Sequence, residues 1–391
     1  MKKKFFLIVL IIILVFSSNL AAQEGAKTTA EDLFSQALKN YNQQNFNQAE
    51  QEFSLLLNEY ELDEGFKFSV LYYLTMTAVK ENRTLSAINY VEKLEELGYQ
   101  SGTLNWQIGE LFLNKNRQFD SADFEMALKY LKKTSELGLS SNTFKRDLAY
   151  AYRENNKREN AADIYQEIID DNPIAEDYLN LAKLYEENGD LNKAVELYEQ
   201  ALAKGTVQQS IYLNLGNLYQ RLGNYNSAIS IYELGIKANP NFVPYYVKIA
   251  ENYLALDNFS NAEDALIKAI DINRNSYHAY YLLGVIAQER KDYEQALNYY
   301  SNSLTYNPDY VNAYLAEGKL YLEKEEYNNA ISSFLQAVEK NPEFFESRYY
   351  LGLAYYHANM MEAARAELRR TLHLNDRFQK ARDLLDEIEK N

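Results

Sequence analysis

Seven alanines, Ala161, Ala194, Ala228, Ala262, Ala296, Ala330 and Ala364, recur at intervals of 33 and then 34 residues. A second small series, Ala149, Ala182, Gly216, Ala250, Gly284, Gly318 and Gly352, runs 12 residues ahead of it. Aromatic or bulky residues keep the same step at Tyr165, Tyr198, Tyr232, Leu266, Tyr300, Phe334 and Leu368. Pro173, Pro240, Pro308 and Pro342 are separated by 67, 68 and 34 residues, again multiples of one unit. A period of this length means that one supersecondary unit is stacked on copies of itself.

Within a unit the spacing is helical. Tyr212, Leu215, Gly216 and Tyr219 stand at i, i+3, i+4 and i+7, one face of a helix. Ala228, Tyr232 and Gly235 continue the pattern after the polar turn Leu222-Gly223-Asn224. Each unit therefore reads as two antiparallel helices of about 12 to 14 residues. A glycine in mid-helix costs up to about 1 kcal/mol relative to alanine. Its retention at Gly216, Gly284, Gly318 and Gly352 predicts that a larger side chain would clash there. The proline is expected to end the second helix.

These residues resemble the tetratricopeptide repeat (TPR) family, whose 34-residue pattern runs aromatic, Leu-Gly, aromatic, Ala, aromatic, Ala and Pro. Tyr212-Leu215-Gly216-Tyr219-Ala228-Tyr232-Gly235-Pro240 follows it nearly throughout. Seven regular repeats are read over 142–378, preceded by irregular TPR-like repeats over 30–141 and followed by a capping helix at 379–391. Ala37, Ala49 and Phe53, then Leu74, Ala87 and Val91, hold the register in the irregular part, where the turn from Asn114 to Glu125 is about six residues too long. The resemblance implies an all-α fold, a right-handed α-solenoid superhelix of about ten helix-turn-helix units. No Gly/Ser linker interrupts it, so a single domain is expected.

Residues 1–22 have another character. Lys2, Lys3 and Lys4 precede an apolar run from Phe5 to Phe16, and Leu20-Ala21-Ala22 closes the segment with small residues. That is the three-part layout of a secretory signal peptide. Twelve apolar residues are short of the roughly 20 that a spanning helix needs, so cleavage is expected, with an uncleaved anchor as the alternative. Residues 23–29 read as a linker. The remainder is expected to be exported, periplasmic or extracellular, touching a membrane only through such an anchor.

Composition narrows the chemistry. A formal net charge of −16 argues against a nucleic-acid backbone as partner and favours basic partners. With no Cys and three His, thiolate chemistry and a His-built metal site are not expected. No GxGxxG, Walker, HExxH or GxSxG pattern occurs, and no residue range is left over for a catalytic domain. No enzyme activity, cofactor or small-molecule substrate is therefore expected.

In the TPR family the first helices line a concave groove. The sixth residues of the regular units are Asp147, Asn180, Asn214, Lys248, Leu282, Ala316 and Tyr350, and the ninth are Tyr150, Lys183, Asn217, Glu251, Val285, Lys319 and Leu353. The groove is thus expected to be polar up to 276 and mostly apolar and aromatic beyond it. Asn180, Lys183, Asn214, Asn217, Lys248, Glu251 and Tyr281 are the candidate partner-binding residues. Asn180 and Asn214 are similar to the start of the asparagine ladder with which some TPR proteins hold an extended peptide. An amide suits that task because it both donates and accepts. The two-carboxylate clamp of chaperone-binding TPR domains is not matched, since Leu213 stands where a Lys is required. The leading reading is a non-catalytic protein–protein interaction scaffold of the bacterial envelope that binds a peptide in its groove, in envelope assembly. A self-assembling structural protein, with Trp106 and its long turn as the contact, is the alternative; an accessory subunit of an envelope enzyme complex is a third reading.

Overall fold

A computed structural model describes residues 29–113, 121–205 and 208–390. The signal-like segment, most of the linker and the residues 114–120 of the long turn lie outside the described residues. Among the described residues there is no strand, and none of the helices is long and apolar enough to cross a membrane.

The described residues divide into two compact units, one ending at Pro173 and the other beginning at Ile174. The first contains four helix pairs: α1 (Ala30–Asn42) with α2 (Phe46–Glu59), α3 (Glu64–Lys80) with α4 (Thr84–Glu96), α5 (Gly102–Phe112) with α6 (Ser121–Glu136), and α7 (Asn142–Glu154) with α8 (Arg158–Asp171). Helix α6 begins at Ser121, so the part of the long connection read as turn up to Glu125 is partly helical.

The second unit contains six pairs and a closing helix. These are α9 (Ala175–Glu187) with α10 (Leu191–Ala203), α11 (Gln209–Arg221) with α12 (Tyr225–Ala238), and α13 (Val243–Ala255) with α14 (Phe259–Ile272). Then follow α15 (Tyr277–Glu289) with α16 (Tyr293–Tyr306), α17 (Val311–Glu323) with α18 (Tyr327–Lys340), α19 (Phe345–His357) with α20 (Met361–Leu374), and α21 (Gln379–Lys390). Helices of 13 or 14 residues are marginal alone, so their stability comes from packing against their neighbours.

The small and aromatic series meet across each pair. A Cβ on Gly216 would lie 2.4 Å from the ring of Tyr232, and one on Gly284 would lie 2.4 Å from the ring of Tyr300. The same test on Gly318 gives 2.5 Å to Phe334. Tyr232, Tyr300 and Phe334 are fully buried. The expected clash is real at these three positions and milder at Gly352, whose Cβ would stand 3.1 Å from the branched end of Leu368. Gly235 serves another partner: its Cβ would lie 2.6 Å from the ring of Tyr245, which is also fully buried and donates its hydroxyl to the carbonyl of Gln209 at 3.2 Å.

Turn chemistry is as periodic as the core. The second helices α12, α14, α16, α18 and α20 each end on an asparagine cap, at Asn239, Asn273, Asn307, Asn341 and Asn375. At four of them the Oδ1 accepts the backbone N–H two residues on, at Asn275, Asp309, Glu343 and Arg377. This side-chain turn ends α14 and α20 where no proline follows, so asparagine and not proline is the recurrent stop signal. In the second unit the turn inside each pair holds one left-handed residue. Gly189 and Gly223 supply it in two pairs, whereas Asp257, Lys291, Glu325 and Asn359 supply it with φ of 55 to 61°. A side chain in that region costs on the order of 1 kcal/mol. Lys291→Gly is therefore expected to raise stability by up to about 1 kcal/mol, read as a shift of the urea midpoint at constant slope. No shift would mean that local contacts already offset the strain.

The rows of helices are not equivalent. In the second unit first helices approach first helices, α13 with α15, α15 with α17 and α17 with α19, in addition to their pair partners. An array drawn together along one row curves toward that row, so the first helices line its inner face.

Candidate functional site

The candidate residues fall on one face of successive inner helices of the second unit. Asn180 and Lys183 lie on α9, Asn214 and Asn217 on α11, Lys248 and Glu251 on α13, and Tyr281 on α15. All seven are half-buried, the state of side chains that line a groove.

Beneath them run the buried tyrosines of the second helices, whose hydroxyls emerge between the inner helices. Tyr198 donates to Glu186 Oε2 at 3.3 Å, and Asn214 Nδ2 approaches the same hydroxyl at 3.5 Å. Glu186 is paired in turn with Arg221, at 2.6 Å. Tyr232 donates to Asn217 Oδ1 at 2.8 Å, which leaves the Asn217 amide N–H groups for an outside acceptor. Tyr300 donates to Gln288 Oε1 at 2.8 Å. Burial raises the pKa of all three phenols, helped at Tyr198 by the Glu186 charge and at Tyr232 by Glu251. They remain protonated donors at neutral pH. The rings thus fill the core while the hydroxyls orient the groove's amides and carboxylates.

Lys248 is not a free cation. Its Nζ lies 2.8 Å from Glu251 Oε2, and Glu251 Oε1 is 3.7 Å from His278 Nε2. Burial lowers the His278 pKa, against the opposing pull of Glu251, so the ring is neutral at pH 7. His278 stacks on Tyr281 with centroids 6.1 Å apart, and Tyr281 meets Tyr310 edge-on at 5.3 Å. Burial pushes the Tyr310 hydroxyl up to about 12. Lys248, Glu251, His278, Tyr281 and Tyr310 therefore form one continuous cluster. Asn180 and Lys183 are not drawn into it and make no hydrogen bond or ion pair among the described residues.

Beyond 276 the inner face is more polar than its sixth and ninth residues suggested. Leu282 is 7% exposed and belongs to the core. A hollow of about 250 Å³ beside Ala316 is lined by Tyr281 and Val285, and also by Gln288, Glu289, Asn312 and Glu346. These polar residues occupy the second, twelfth and thirteenth places of their units. They share the 34-residue step, so reading those columns as well would have found them. Tyr245 was missed for another reason: its partner Gly235 looked like an ordinary small framework residue.

Among the described residues no group of three His, Cys, Asp or Glu is placed to hold a metal ion. What the groove offers is an array of amides, a charge-balanced Lys–Glu–His cluster and exposed tyrosine edges.

Sequence comparison assigns the repeats directly. Models of the tetratricopeptide repeat match residues 147–173, 185–251, 243–276, 277–310 and 315–381, together more than half of the chain. The chain belongs to the tetratricopeptide repeat family. Among solved structures it is similar to a tetratricopeptide repeat protein from Parabacteroides merdae, with 18% identity, a TM-score of 0.51, and 64% of this chain and 99% of that one covered. It is also similar to yeast Tom70, with 11% identity, a TM-score of 0.50, and 92% and 95% covered. At such identities these likenesses show the TPR fold alone. No curated protein sequence matches the chain.

Proposed function

We propose that this TPR protein is a non-catalytic interaction scaffold of the bacterial envelope, which holds an extended peptide of a protein partner along the inner helices of its second unit. The observation that carries this reading is the pair Asn214 and Asn217 on the protonated hydroxyls of Tyr198 and Tyr232, with the half-buried Asn180 one repeat before them. Amides held this way present donors and acceptors to a peptide backbone without a preferred side chain. The Lys248–Glu251 pair keeps the cluster near neutral, and the overall charge of −16 favours a basic partner. Nucleic acid and small-molecule substrates are not part of this reading. The envelope location rests on the signal-like residues 1–22.

A crosslinked pull-down from the envelope fraction tests it, comparing the tagged protein with the Asn180→Ala, Asn214→Ala, Lys248→Ala triple variant. The three side chains carry no core packing, so the melting curve is expected to be nearly unchanged. A dominant partner is expected with the wild type and lost from the variant. The same partners with both proteins would move the interface away from these residues.

A further inference from the structure

The hollow beside Ala316 sits inside the groove proposed above, and its chemistry is more specific than that of the amide row. Along the sixth residues of the regular units, Ala316 is the smallest, and the missing side chain opens the wall of α17. At about 250 Å³ the hollow is smaller than the roughly 300–1,000 Å³ of a small-molecule site, so it suits a single side chain. The half-buried Tyr281 supplies aromatic surface, and the fully buried Tyr300 backs it with ring centroids 6.0 Å apart. Glu289 and Glu346 stand at the rim, and neither is ion-paired among the described residues.

The cations nearby offset them only in part. Arg290 is paired with Glu263 at 2.8 Å. Lys319, also on the rim, has its Nζ 4.3 Å from the centre of the Tyr350 ring. Two carboxylates against one lysine, beside the Tyr281 ring, leave an excess of negative charge that suits a flat, forked cation. A guanidinium lies flat on a tyrosine face and donates to carboxylates in a fork from the same plane, whereas an ammonium meets both as a point charge without the fork and an apolar side chain offers the carboxylates nothing.

We infer that the hollow bounded by Ala316, Tyr281, Tyr300, Glu289 and Glu346 is an arginine pocket, the subsite that anchors one arginine of the partner's peptide. This rests on the groove reading and adds a side-chain preference that the amide row lacks.

The test is a random dodecapeptide display library selected on the full chain. Arginine at one fixed position is expected to dominate the recovered peptides. In a synthetic peptide of the recovered sequence, citrulline at that position should weaken binding about tenfold or more, since the charge-assisted bonds are lost. Ala316→Leu, which sets a branched side chain against the hollow, should weaken it as much. Glu289→Gln with Glu346→Gln should do so too, and thermal melting checks that both variants fold. Recovered peptides without a fixed arginine would overturn the inference and leave the groove reading standing, as would binding unmoved in both variants. Recovery of no peptide at all would overturn both.

Discussion

Gly284→Leu is expected to destabilise the second unit by about 3 kcal/mol or more. Its Cβ would start 2.4 Å from the ring of Tyr300, a side chain with no exposed surface and no room to withdraw. Tyr300 also holds Gln288 through its hydroxyl and touches Tyr281, so displacing it disturbs the groove as well as the core. The pair α15/α16 contacts α17, so the damage reaches the next repeat. Urea unfolding together with hydrogen exchange over 277–323 would show it, as early loss of protection in α15 to α17. Gly352→Ala is the internal control. Its Cβ would stand 3.1 Å from Leu368, a distance that a shift of a few tenths of an ångström relieves, and alanine recovers up to about 1 kcal/mol of helix propensity. A near-neutral Gly352→Ala beside a disabling Gly284→Leu is the expected pattern. An unchanged melt for Gly284→Leu would mean that the helices pack in another register.

Removing α21 is expected to have the second large effect. Its Ala381, Leu385 and Ile388 are buried on Ala364 and Leu368 of the last pair. Burying a large aliphatic side chain is worth about 1.5–3 kcal/mol, so Leu385 and Ile388 alone contribute roughly 3–6 kcal/mol. The Arg369–Glu389 pair at 2.7 Å adds little, both groups being exposed. A chain ending before Gln379 should lose exchange protection first in α19 and α20, bind a hydrophobic dye and aggregate on concentration. Retained protection in α20 would show that the last pair is stable without its cover.

The repeat was legible because its packing rule leaves a periodic trace. A glycine or alanine facing a large ring across a helix pair must recur with the pair, and Gly216–Tyr232, Gly284–Tyr300 and Gly318–Phe334 do so. The turn residues were less legible. Lys291 and Glu325 carry no mark of the left-handed backbone that they adopt, because the array and not the local propensity imposes it. The groove was half legible. Its sixth and ninth columns marked Asn180, Asn214, Asn217 and the Lys248–Glu251 pair, but they could not show that tyrosine hydroxyls from below engage Asn214 and Asn217. Nor could they show that Leu282 turns into the core while Glu346 reaches the rim of the hollow. Those depend on distances between helices that one sequence column does not encode.

Site-specific photo-crosslinking in living cells tests the central claim most directly. A benzophenone amino acid would be placed at Lys183 and Asn217 on the inner helices, and at the exposed Glu233 and Lys268 on second helices. Adducts with one partner from Lys183 and Asn217, and none from Glu233 or Lys268, are the predicted result. Adducts from Glu233 and Lys268 alone would contradict the account and make the outer row of helices the binding surface.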